Sequence, residues 1–271
     1  MWKTAVSNRF SEKSDSYEQY ALVQKEMAES LHQMIKESTK RSEIQRILEI
    51  GCGTGGLTSL ARRLFPDADY QAIDLASGML EKAKARVAQL QLNCKFLQGD
   101  AEEWIWRQPE RSQDLILSGA CFQWFSQPED TVKGLHRLLA PGASLFFSTF
   151  GPLTFCELHD SFAYAHASLG EENVRHGLSF FKASEWRAML EDTGFESVVA
   201  SSKKVVLTYP KVRDFLYAVK AVGANTSQEQ AAGLGQRKLL IEMMQYYERV
   251  YGDGQGIPVT YELLYFHGTR R

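Results

Sequence analysis

The chain has 271 residues, of which 44% are hydrophobic and 24% charged, a composition typical of a globular protein with one large domain. Its net charge is -2 at pH 7, so it lacks the overall basic excess with which proteins neutralise nucleic-acid phosphates. Because no apolar run reaches the roughly 20 residues of a membrane-spanning helix and residues 1–20 contain no apolar signal segment, we expect a cytoplasmic protein without nucleic-acid or membrane partners.

Residues 1–45 are predicted to be mostly helical. Apolar side chains recur at helical spacing from Tyr17 to Ile35, with charged residues between them. Because this segment precedes the first predicted strand, we expect it to pack over the core as a helical cap.

Residues 46–150 alternate between short apolar runs and amphipathic helical patterns. Strands are predicted at 46–50, 70–73, 94–98, 114–118 and 143–149, and helices at 55–65, 76–90 and 128–139. Strands separated by helices imply right-handed crossovers and a parallel sheet covered on both faces.

Beyond residue 150 the alternation is less regular. Helices are predicted at 154–168 and 184–193, a valine-rich strand at 196–207, and two further helices at 211–223 and 227–250. The last segment, 259–269, alternates apolar and polar side chains, which predicts an antiparallel strand at the edge of the sheet.

The first predicted strand runs directly into a glycine-rich turn that precedes a helix. Gly51, Gly53, Gly55 and Gly56 remove Cβ atoms where a ligand must approach the backbone, and the helix start directs N–H groups toward it. No Gly-Lys-Ser/Thr follows, which argues against a phosphate loop, but the spacing still fits a dinucleotide fingerprint. The glycines alone therefore leave the ligand open.

Acidic residues at three successive predicted strands narrow the choice. Glu49 lies inside the first apolar strand, where a nearly buried carboxylate needs a partner such as a cationic group. Asp74 follows the glycines by ~20 residues, where an acid accepts ribose hydroxyls. Asp100 is placed to accept an adenine amino group. Each strand-end aspartate could instead cap the next helix, but the three together favour an S-adenosylmethionine site over a dinucleotide site.

This constellation resembles the class I S-adenosylmethionine-dependent methyltransferases over residues 46–150. The matching segments are E-I-G-C-G-T-G at 49–55, A-I-D-L-A-S-G-M-L at 72–80, Q-G-D-A-E at 98–102 and L-L-A-P-G-A-S-L-F-F-S-T at 138–149. The resemblance implies an α/β fold with a Rossmann-like, seven-stranded, mostly parallel sheet, whose last strand is antiparallel, and helices on both faces. The implied cofactor is S-adenosyl-L-methionine, with S-adenosyl-L-homocysteine as product and no metal.

The resemblance also implies the cofactor contacts and the organisation of the chain. We expect an N-terminal helical cap at 1–45, a cofactor-binding core at 46–209, a helical lid insertion at 210–257 and a last core strand at 258–271. The implied cofactor contacts are Glu49, Gly51, Cys52, Gly53, Gly55, Asp74, Leu75, Met79, Asp100, Ala101, Glu102, Ser118 and Gly119.

The flanking segments resemble the malonyl-acyl-carrier-protein O-methyltransferases of biotin synthesis. These segments are F-S-E-K-S-D-S-Y-E-Q-Y-A-L-V-Q at 10–24, F-Q-W-F at 122–125, S-T-F-G-P-L-T-F-C-E-L at 148–158 and P-V-T-Y-E-L-L-Y at 258–265. This resemblance implies a monomer that methylates the free carboxylate of a malonyl thioester carried on acyl carrier protein or coenzyme A.

Methylation of a carboxylate requires positioning and a dry site rather than a general base, because the carboxylate is already ionised at pH 7. The candidate catalytic residues are Tyr17, Gln123, Trp124 and Lys220. The candidate substrate-binding residues are Tyr20, Gln24, Arg175, His176 and Asn225, of which the last three, with Lys220, are candidate donors to the carboxylate. Each of these side chains could instead be a core aromatic or a solvated surface group.

Alternative functions remain open at this point. A methyltransferase for another small carboxylic acid or a quinone precursor would use the same cofactor residues. A protein that binds S-adenosylmethionine without catalysis is the alternative from another class, and a dinucleotide-dependent reductase is the most remote.

Overall fold

The computed structural model describes residues 2–39, 43–223 and 234–271. The strands are β1 (Arg46–Ile50), β2 (Asp69–Asp74), β3 (Lys95–Gln98), β4 (Gln113–Gly119), β5 (Leu139–Phe150), β6 (Phe195–Tyr209) and β7 (Ile257–Arg270). The α-helices are α1 (Trp2–Tyr20), α2 (Leu22–Ser38), α3 (Gly56–Leu64), α4 (Ser77–Gln89), α5 (Ala101–Trp104), α6 (Pro128–Leu138), α7 (Cys156–Leu169), α8 (Ala183–Thr193), α9 (Val212–Ala221) and α10 (Leu234–Tyr251). No helix in these ranges is long and apolar enough to cross a membrane.

The strands of the described residues form one seven-stranded sheet in the order β3-β2-β1-β4-β5-β7-β6. Strands β1 to β5 are parallel, as in the pairing of Ile47 with both Tyr70 and Leu115. Strand β7 is antiparallel to both of its neighbours. The predicted Rossmann-like sheet with an antiparallel last strand is confirmed.

The predicted edge position of the last strand is wrong. Strand β7 lies between β5 and β6, so that Phe266 pairs with Phe147 on one side and Ala200 on the other. Leu263 and Leu264 are both fully buried, because each face of β7 packs against a helical layer. The alternation of apolar and polar residues that predicted an edge strand therefore belongs to a strand that is buried on both faces.

Successive strand residues face two separate apolar cores. Ile47 and Leu117 contribute to the core beneath α2, α3, α7, α9 and α10, whereas Leu48 and Ile116 contribute to the core beneath α6 and α8. By the same alternation Glu49 points toward the first core. Both faces of the sheet are thus covered, as expected for parallel strands.

Helix α1 lies across the carboxyl ends of the parallel strands. The Ser7 hydroxyl donates to the Leu75 carbonyl (2.9 Å), and the Gly78 N–H donates to the Ser11 hydroxyl (3.3 Å). Lys3, near the start of α1, pairs with Asp100 at 2.5 Å. The following helix α2 packs its apolar face, with Met27 and Leu31 fully buried, onto the sheet.

Helices α9 and α10 lie between β6 and β7 in the chain. Phe215 of α9 and Met243 of α10 are fully buried, and the Tyr247 hydroxyl donates to the Pro258 carbonyl (2.8 Å). Helix α10 also packs along α7, where the Tyr251 hydroxyl donates to Asp160 (2.7 Å). The helices predicted at 211–223 and 227–250 correspond to α9 and α10.

Replacement of Gly78 by alanine should loosen the contact between α1 and α4. A Cβ at this position would lie 2.6 Å from the Ser11 carbonyl oxygen, which is backbone and cannot rotate away. We expect Gly78→Ala to lower the free energy of unfolding by about 1–3 kcal/mol, measured by denaturant or thermal unfolding. The matched control is Gly235→Ala on α10, where a Cβ would meet no atom within 4 Å. Equal stability changes in the two variants would contradict the proposed packing.

Candidate active site

The order of the strands reverses between β1 and β4. The segments that follow these two strands therefore leave a crevice between them at the carboxyl edge of the sheet, where ligands bind in open α/β sheets. The glycine turn follows β1, and the segment from Ala120 to Trp124 follows β4. These two segments form the centre of the candidate site.

The glycine turn is held by backbone hydrogen bonds in a left-handed conformation. Gly51, Gly53 and Gly55 have φ values of +68°, +54° and +80°. The Gly51 N–H donates to the Ile73 carbonyl (2.8 Å), and a Cβ at Gly51 would collide with the Cys121 side chain. A Cβ at Gly53 would meet no atom within 4 Å, so the space beside it is open. The backbone at Gly53 is thus exposed to a ligand.

The Asp74 carboxylate connects this turn to the start of α4. Its Oδ2 accepts from the Gly53 N–H and its Oδ1 from the Ala76 N–H, both at 2.8 Å. Burial raises the pKa of Asp74 above its ordinary value, although the backbone donors partly oppose this. Asp74 also lines the adjoining cavity, so its remaining lone pairs face a ligand.

Glu49 is buried beneath the glycine turn, with 1% of its surface exposed. Burial raises its pKa to about 7, the Thr58 and Tyr70 hydroxyls act in the opposite direction, and the Asp74 charge raises it further. The Tyr70 hydroxyl donates to Glu49 at 2.8 Å. Together with Cys52, Glu49 lines a small cavity of about 70 Å³ that also borders Gly51 and Gly53. An acid of this kind ionises readily when a cation binds beside it.

Asp100 both caps a helix and faces the cavity. Its Oδ1 accepts from the Glu102 N–H (3.0 Å) at the start of α5, which is the capping role considered as an alternative, and its Oδ2 accepts from Lys3 (2.5 Å). Glu102 accepts from Lys3 and from the Ser126 and Gln127 N–H groups. Burial opposes ionisation of Glu102, but these donors outweigh it and hold the pKa below its usual value.

Most of the predicted cofactor residues line one cavity of about 120 Å³ at this edge, which we call the cofactor cavity. They are Gly51, Gly53, Asp74, Leu75, Met79, Asp100, Ala101, Glu102 and Gly119. Of the other four predicted residues, Glu49 and Cys52 line the small cavity, and two line neither cavity. Gly55 packs against Ala83 of α4, and the buried Ser118 hydroxyl donates to the Ile50 carbonyl (2.8 Å). Both support the walls rather than line them.

A second cavity of about 400 Å³, which we call the large cavity, adjoins the first and is lined mainly by aromatic and aliphatic side chains. The predicted catalytic and substrate residues in its wall are Tyr17, Tyr20, Gln24, Gln123, Trp124, His176 and Lys220. Arg175 is not in this wall, because its guanidinium donates to the Leu178 carbonyl and approaches His159 (3.4 Å). Asn225, also predicted to bind substrate, lies outside the described residues.

Tyr17 lies where the cavities meet. It lines the cofactor cavity, the small cavity and the large cavity, as does Ala120. Burial raises the pKa of the Tyr17 hydroxyl well above its usual value, and the charges of Asp74 and Glu18 add to this effect. Within the described part of the chain, this hydroxyl has no hydrogen-bond partner. It is therefore a protonated donor available to a ligand.

Gln123 and Trp124 shape the wall between the cofactor cavity and the large cavity. The Gln123 amide donates to the Ala120 carbonyl (2.6 Å) and its oxygen accepts from Thr149 (3.0 Å), so this side chain holds Ala120, whose φ is +51°. Trp124 packs edge-to-face against Phe10, with ring centroids 5.3 Å apart. These contacts fix the boundary between the two cavities.

The sequence interpretation missed the contribution of α1 to the cofactor cavity. Trp2, Lys3, Val6 and Phe10 all line it. Trp2, Val6, Phe10 and Tyr17 recur at helical spacing, so the apolar face could have been extended to the start of the chain. No local pattern indicates that Lys3 reaches α5, because that contact depends on how α1 crosses the sheet.

The cavity walls fit S-adenosylmethionine. Open space adjoins Gly53, where the backbone can cradle a ligand, and Asp74 presents a carboxylate beside it. Among the described residues that line the cavity, three carboxylates accompany one ammonium, that of Lys3. Such a negative lining favours a cofactor with a positive sulfonium and a positive amino group.

Comparisons with known proteins decide the family. Residues 47–142 match the family model described as a methyltransferase domain. A malonyl-[acyl-carrier protein] O-methyltransferase from Brevibacillus brevis is 59% identical over 265 residues, which cover 98% of this chain and 95% of that protein. The chain belongs to the malonyl-[acyl-carrier protein] O-methyltransferase family. This methyltransferase is therefore an enzyme that uses S-adenosylmethionine.

Solved structures support the fold of the methyltransferase. The YcgJ protein from Bacillus subtilis superposes with a TM-score of 0.61 at 18% identity, covering 90% of this chain and 98% of that one. A phosphoethanolamine N-methyltransferase from Haemonchus contortus, in complex with S-adenosyl-L-methionine, gives a TM-score of 0.54 at 17% identity, covering 88% of this chain and 51% of that one.

Replacement of Asp74 by alanine should weaken cofactor binding by at least about tenfold, because the glycine turn loses a bond and a ligand loses an acceptor. Isothermal titration with S-adenosylmethionine measures the change. The matched control is Asp69→Ala, since Asp69 lies at the other end of β2 in an exposed pair with Lys95. Unchanged affinity in Asp74→Ala would remove Asp74 from the cofactor site.

The affinity for S-adenosylmethionine should rise as the pH increases from about 6 to about 7.5. The raised pKa of Glu49, about 7, means that the free enzyme holds a proton there at the lower pH, and a bound cation favours its release. Glu49→Gln should lose this rise, while any titration of the cofactor itself affects both proteins equally. Identical pH profiles would show that Glu49 does not sense the cofactor charge.

Proposed function

We propose that this enzyme methylates the free carboxylate of a malonyl thioester carried on acyl carrier protein, by direct in-line transfer, in the synthesis of a biotin precursor. The name of the Brevibacillus relative supports this substrate. The observation that carries the proposal is the position of Tyr17, which lines both the cofactor cavity and a large apolar cavity and whose hydroxyl has no partner among the residues that the structure describes.

The reaction makes modest chemical demands on the protein. A malonyl carboxylate is ionised at neutral pH, so it is a nucleophile without a general base. When bound, S-adenosylmethionine supplies a methyl group on a positively charged sulfur and becomes S-adenosylhomocysteine. The protein must therefore orient the carboxylate and exclude water.

Tyr17 is suited to orient the carboxylate. Because burial raises its pKa, the hydroxyl remains protonated and can donate at neutral pH. A single neutral donor holds one carboxylate oxygen, whereas a bidentate ion pair would reduce the nucleophilicity of both. Tyr20 and Gln24, further along the same wall, are proposed to contact the rest of the substrate.

The large cavity provides the dry environment. Its walls include Phe150, Phe155, Phe162 and Leu239, whose side chains offer no hydrogen bonds to water. With little water present, a carboxylate is less solvated and electrostatic contacts act more strongly. Trp124 and Phe10 separate this space from the cofactor cavity, and Gln123 keeps the backbone at Ala120 in place.

Helices α9 and α10 are proposed to act as the lid of the large cavity. Lys220 of α9 and Leu239 of α10 lie in its wall, and neither lines the cofactor cavity. We likewise propose the division of the chain that the sequence predicts: a cap at 1–45, a core at 46–209, a lid at 210–257 and a last core strand at 258–271. The monomeric state and the cytoplasmic location remain predictions.

A methyl-transfer assay with isotopically labelled S-adenosylmethionine tests the substrate. Carrier protein loaded with malonyl, succinyl or acetyl groups is compared with free malonate. Labelling should be strongest with the malonyl form and absent with the acetyl form, which has no free carboxylate. Transfer only to free acids would overturn the proposal and favour a small-acid methyltransferase.

In the same assay, Tyr17→Phe should slow the maximal rate about 10- to 100-fold, because the carboxylate loses its orienting donor. Affinity for S-adenosylmethionine should change little. Tyr164→Phe is the control, since Tyr164 is an exposed ring stacked on Tyr246. A normal rate in Tyr17→Phe would leave Tyr17 as a packing residue.

A further inference from the structure

A chain of three polar side chains ends in the wall of the large cavity. His166 on α7 is buried, with 5% of its surface exposed, and its Nδ1 lies 3.2 Å from a carboxylate oxygen of Glu171. Its Nε2 lies 2.9 Å from Nε2 of His176. The His176 ring stacks on Phe162 at 3.8 Å and lines the cavity. Nδ1 of His176 makes no hydrogen bond within the described residues.

The connections determine where the hydrogens lie. A carboxylate only accepts, so Nδ1 of His166 carries a hydrogen that it donates to Glu171. Neutral His166 therefore has a bare Nε2, and the hydrogen between the two rings belongs to His176. Neutral His176 then has no hydrogen left for Nδ1, which becomes an acceptor. One further proton on this pair, on either ring, would place a hydrogen on Nδ1 and make it a donor.

The surroundings favour the neutral form of His176. Burial lowers the pKa of His176, and the neighbouring His166 lowers it further. On the adjacent α7 surface, His159 has a pKa lowered to about 4 by burial, by Arg175 and by His176. Lys220 of α9 lines the same cavity, and a carboxylate oxygen of Glu171 lies 3.2 Å from Nδ1 of His166. Nδ1 of His176 is thus an acceptor at neutral pH.

The position of His176 indicates which part of a substrate it meets. Under the proposed function, the reacting carboxylate must approach Tyr17, which borders both larger cavities. His176 lines the large cavity but not the cofactor cavity. A group that contacts His176 therefore belongs to the part of the substrate away from the reacting centre. A bare nitrogen there would repel a carboxylate and attract an N–H or O–H group.

We infer that His176 accepts a hydrogen bond from an N–H or O–H group on the thioester arm of the substrate, and that His166 and Glu171 are positioning residues that fix its tautomer. This role differs from the carboxylate donor expected from the sequence. It rests on the proposed function, and it assigns the specificity of the large cavity to an amide-bearing arm. The arm shared by acyl carrier protein and coenzyme A carries amide N–H groups and a hydroxyl.

Two malonyl thioesters distinguish this role from the alternatives. Malonyl-coenzyme A has the amide-bearing arm, whereas the malonyl thioester of ethanethiol lacks it. His176→Phe retains a ring to stack on Phe162 but has no acceptor. We expect it to raise KM for malonyl-coenzyme A about tenfold, with kcat nearly unchanged and KM for the short thioester unchanged. His176→Gln, which keeps an acceptor, should recover most of the loss.

The pH dependence of KM is an independent test of this role. As pH falls from about 8 to about 5, protonation of His176 places a hydrogen on Nδ1 and removes the acceptor, so KM of the unaltered enzyme for malonyl-coenzyme A should rise. The short thioester should show no such rise, nor should His176→Phe with either substrate. Glu171→Gln should weaken the preference for one tautomer and flatten the profile. His159→Phe is the control, because His159 does not line the cavity.

Each other outcome overturns the inference in a recognisable way. Equal KM changes for both thioesters would place His176 against the malonyl group. A KM that falls with pH would mean that a protonated His176 donates to a carboxylate. If the unaltered enzyme methylates neither thioester, the proposed function itself fails, and the inference with it. Thermal unfolding of each variant separates these results from loss of structure.

Discussion

The Asp74 carboxylate is the constraint on which the cofactor side of the molecule depends. It ends β2 and binds the Gly53 and Ala76 N–H groups, so one side chain fixes the glycine turn against the start of α4. Burial raises the pKa values of Glu49 and Tyr17, and the Asp74 charge adds to this effect. A single acid therefore orders the backbone of the site and also disfavours negative charge on its neighbours. The geometry and the ionisation of the site are not independent properties.

Apart from α1 and the segment after β4, which line both, the cofactor cavity and the large cavity are built from different parts of the chain. Residues at the carboxyl ends of β1 to β4 form most of the cofactor cavity, where the sheet holds the backbone rigidly. The large cavity is lined chiefly by α1, α7, α9, α10 and the segment around His176. Helices can change their side chains without disturbing the strand ends. This division explains how one cofactor site can serve many acceptors in this fold.

The sequence predicted the strands, most helices and nine of the cofactor-cavity residues, because those signals are local. Residues that end parallel strands meet at one edge, so motifs far apart in the chain converge without further information. Gly55, Ser118 and Arg175 do not line these cavities, because their contacts run to Ala83, Ile50 and His159 on other elements. The position of β7 between β5 and β6 also depends on contacts between residues far apart in the chain. The same is true of the contact between Lys3 and α5. The hydrophobic periodicity of a segment indicates which of its faces is buried. It does not indicate which element packs against that face.

The insertion of β7 has a consequence for synthesis of the chain. Among the described strands, β6 pairs with β7 alone, and β5 pairs with it on one side. Until residues 257–270 have left the ribosome, both strands expose unpaired backbone edges that invite aggregation. Tyr209 of β6 and Tyr261 of β7 also line the large cavity. The large cavity is thus completed last, after the strands that border the cofactor cavity can already have folded.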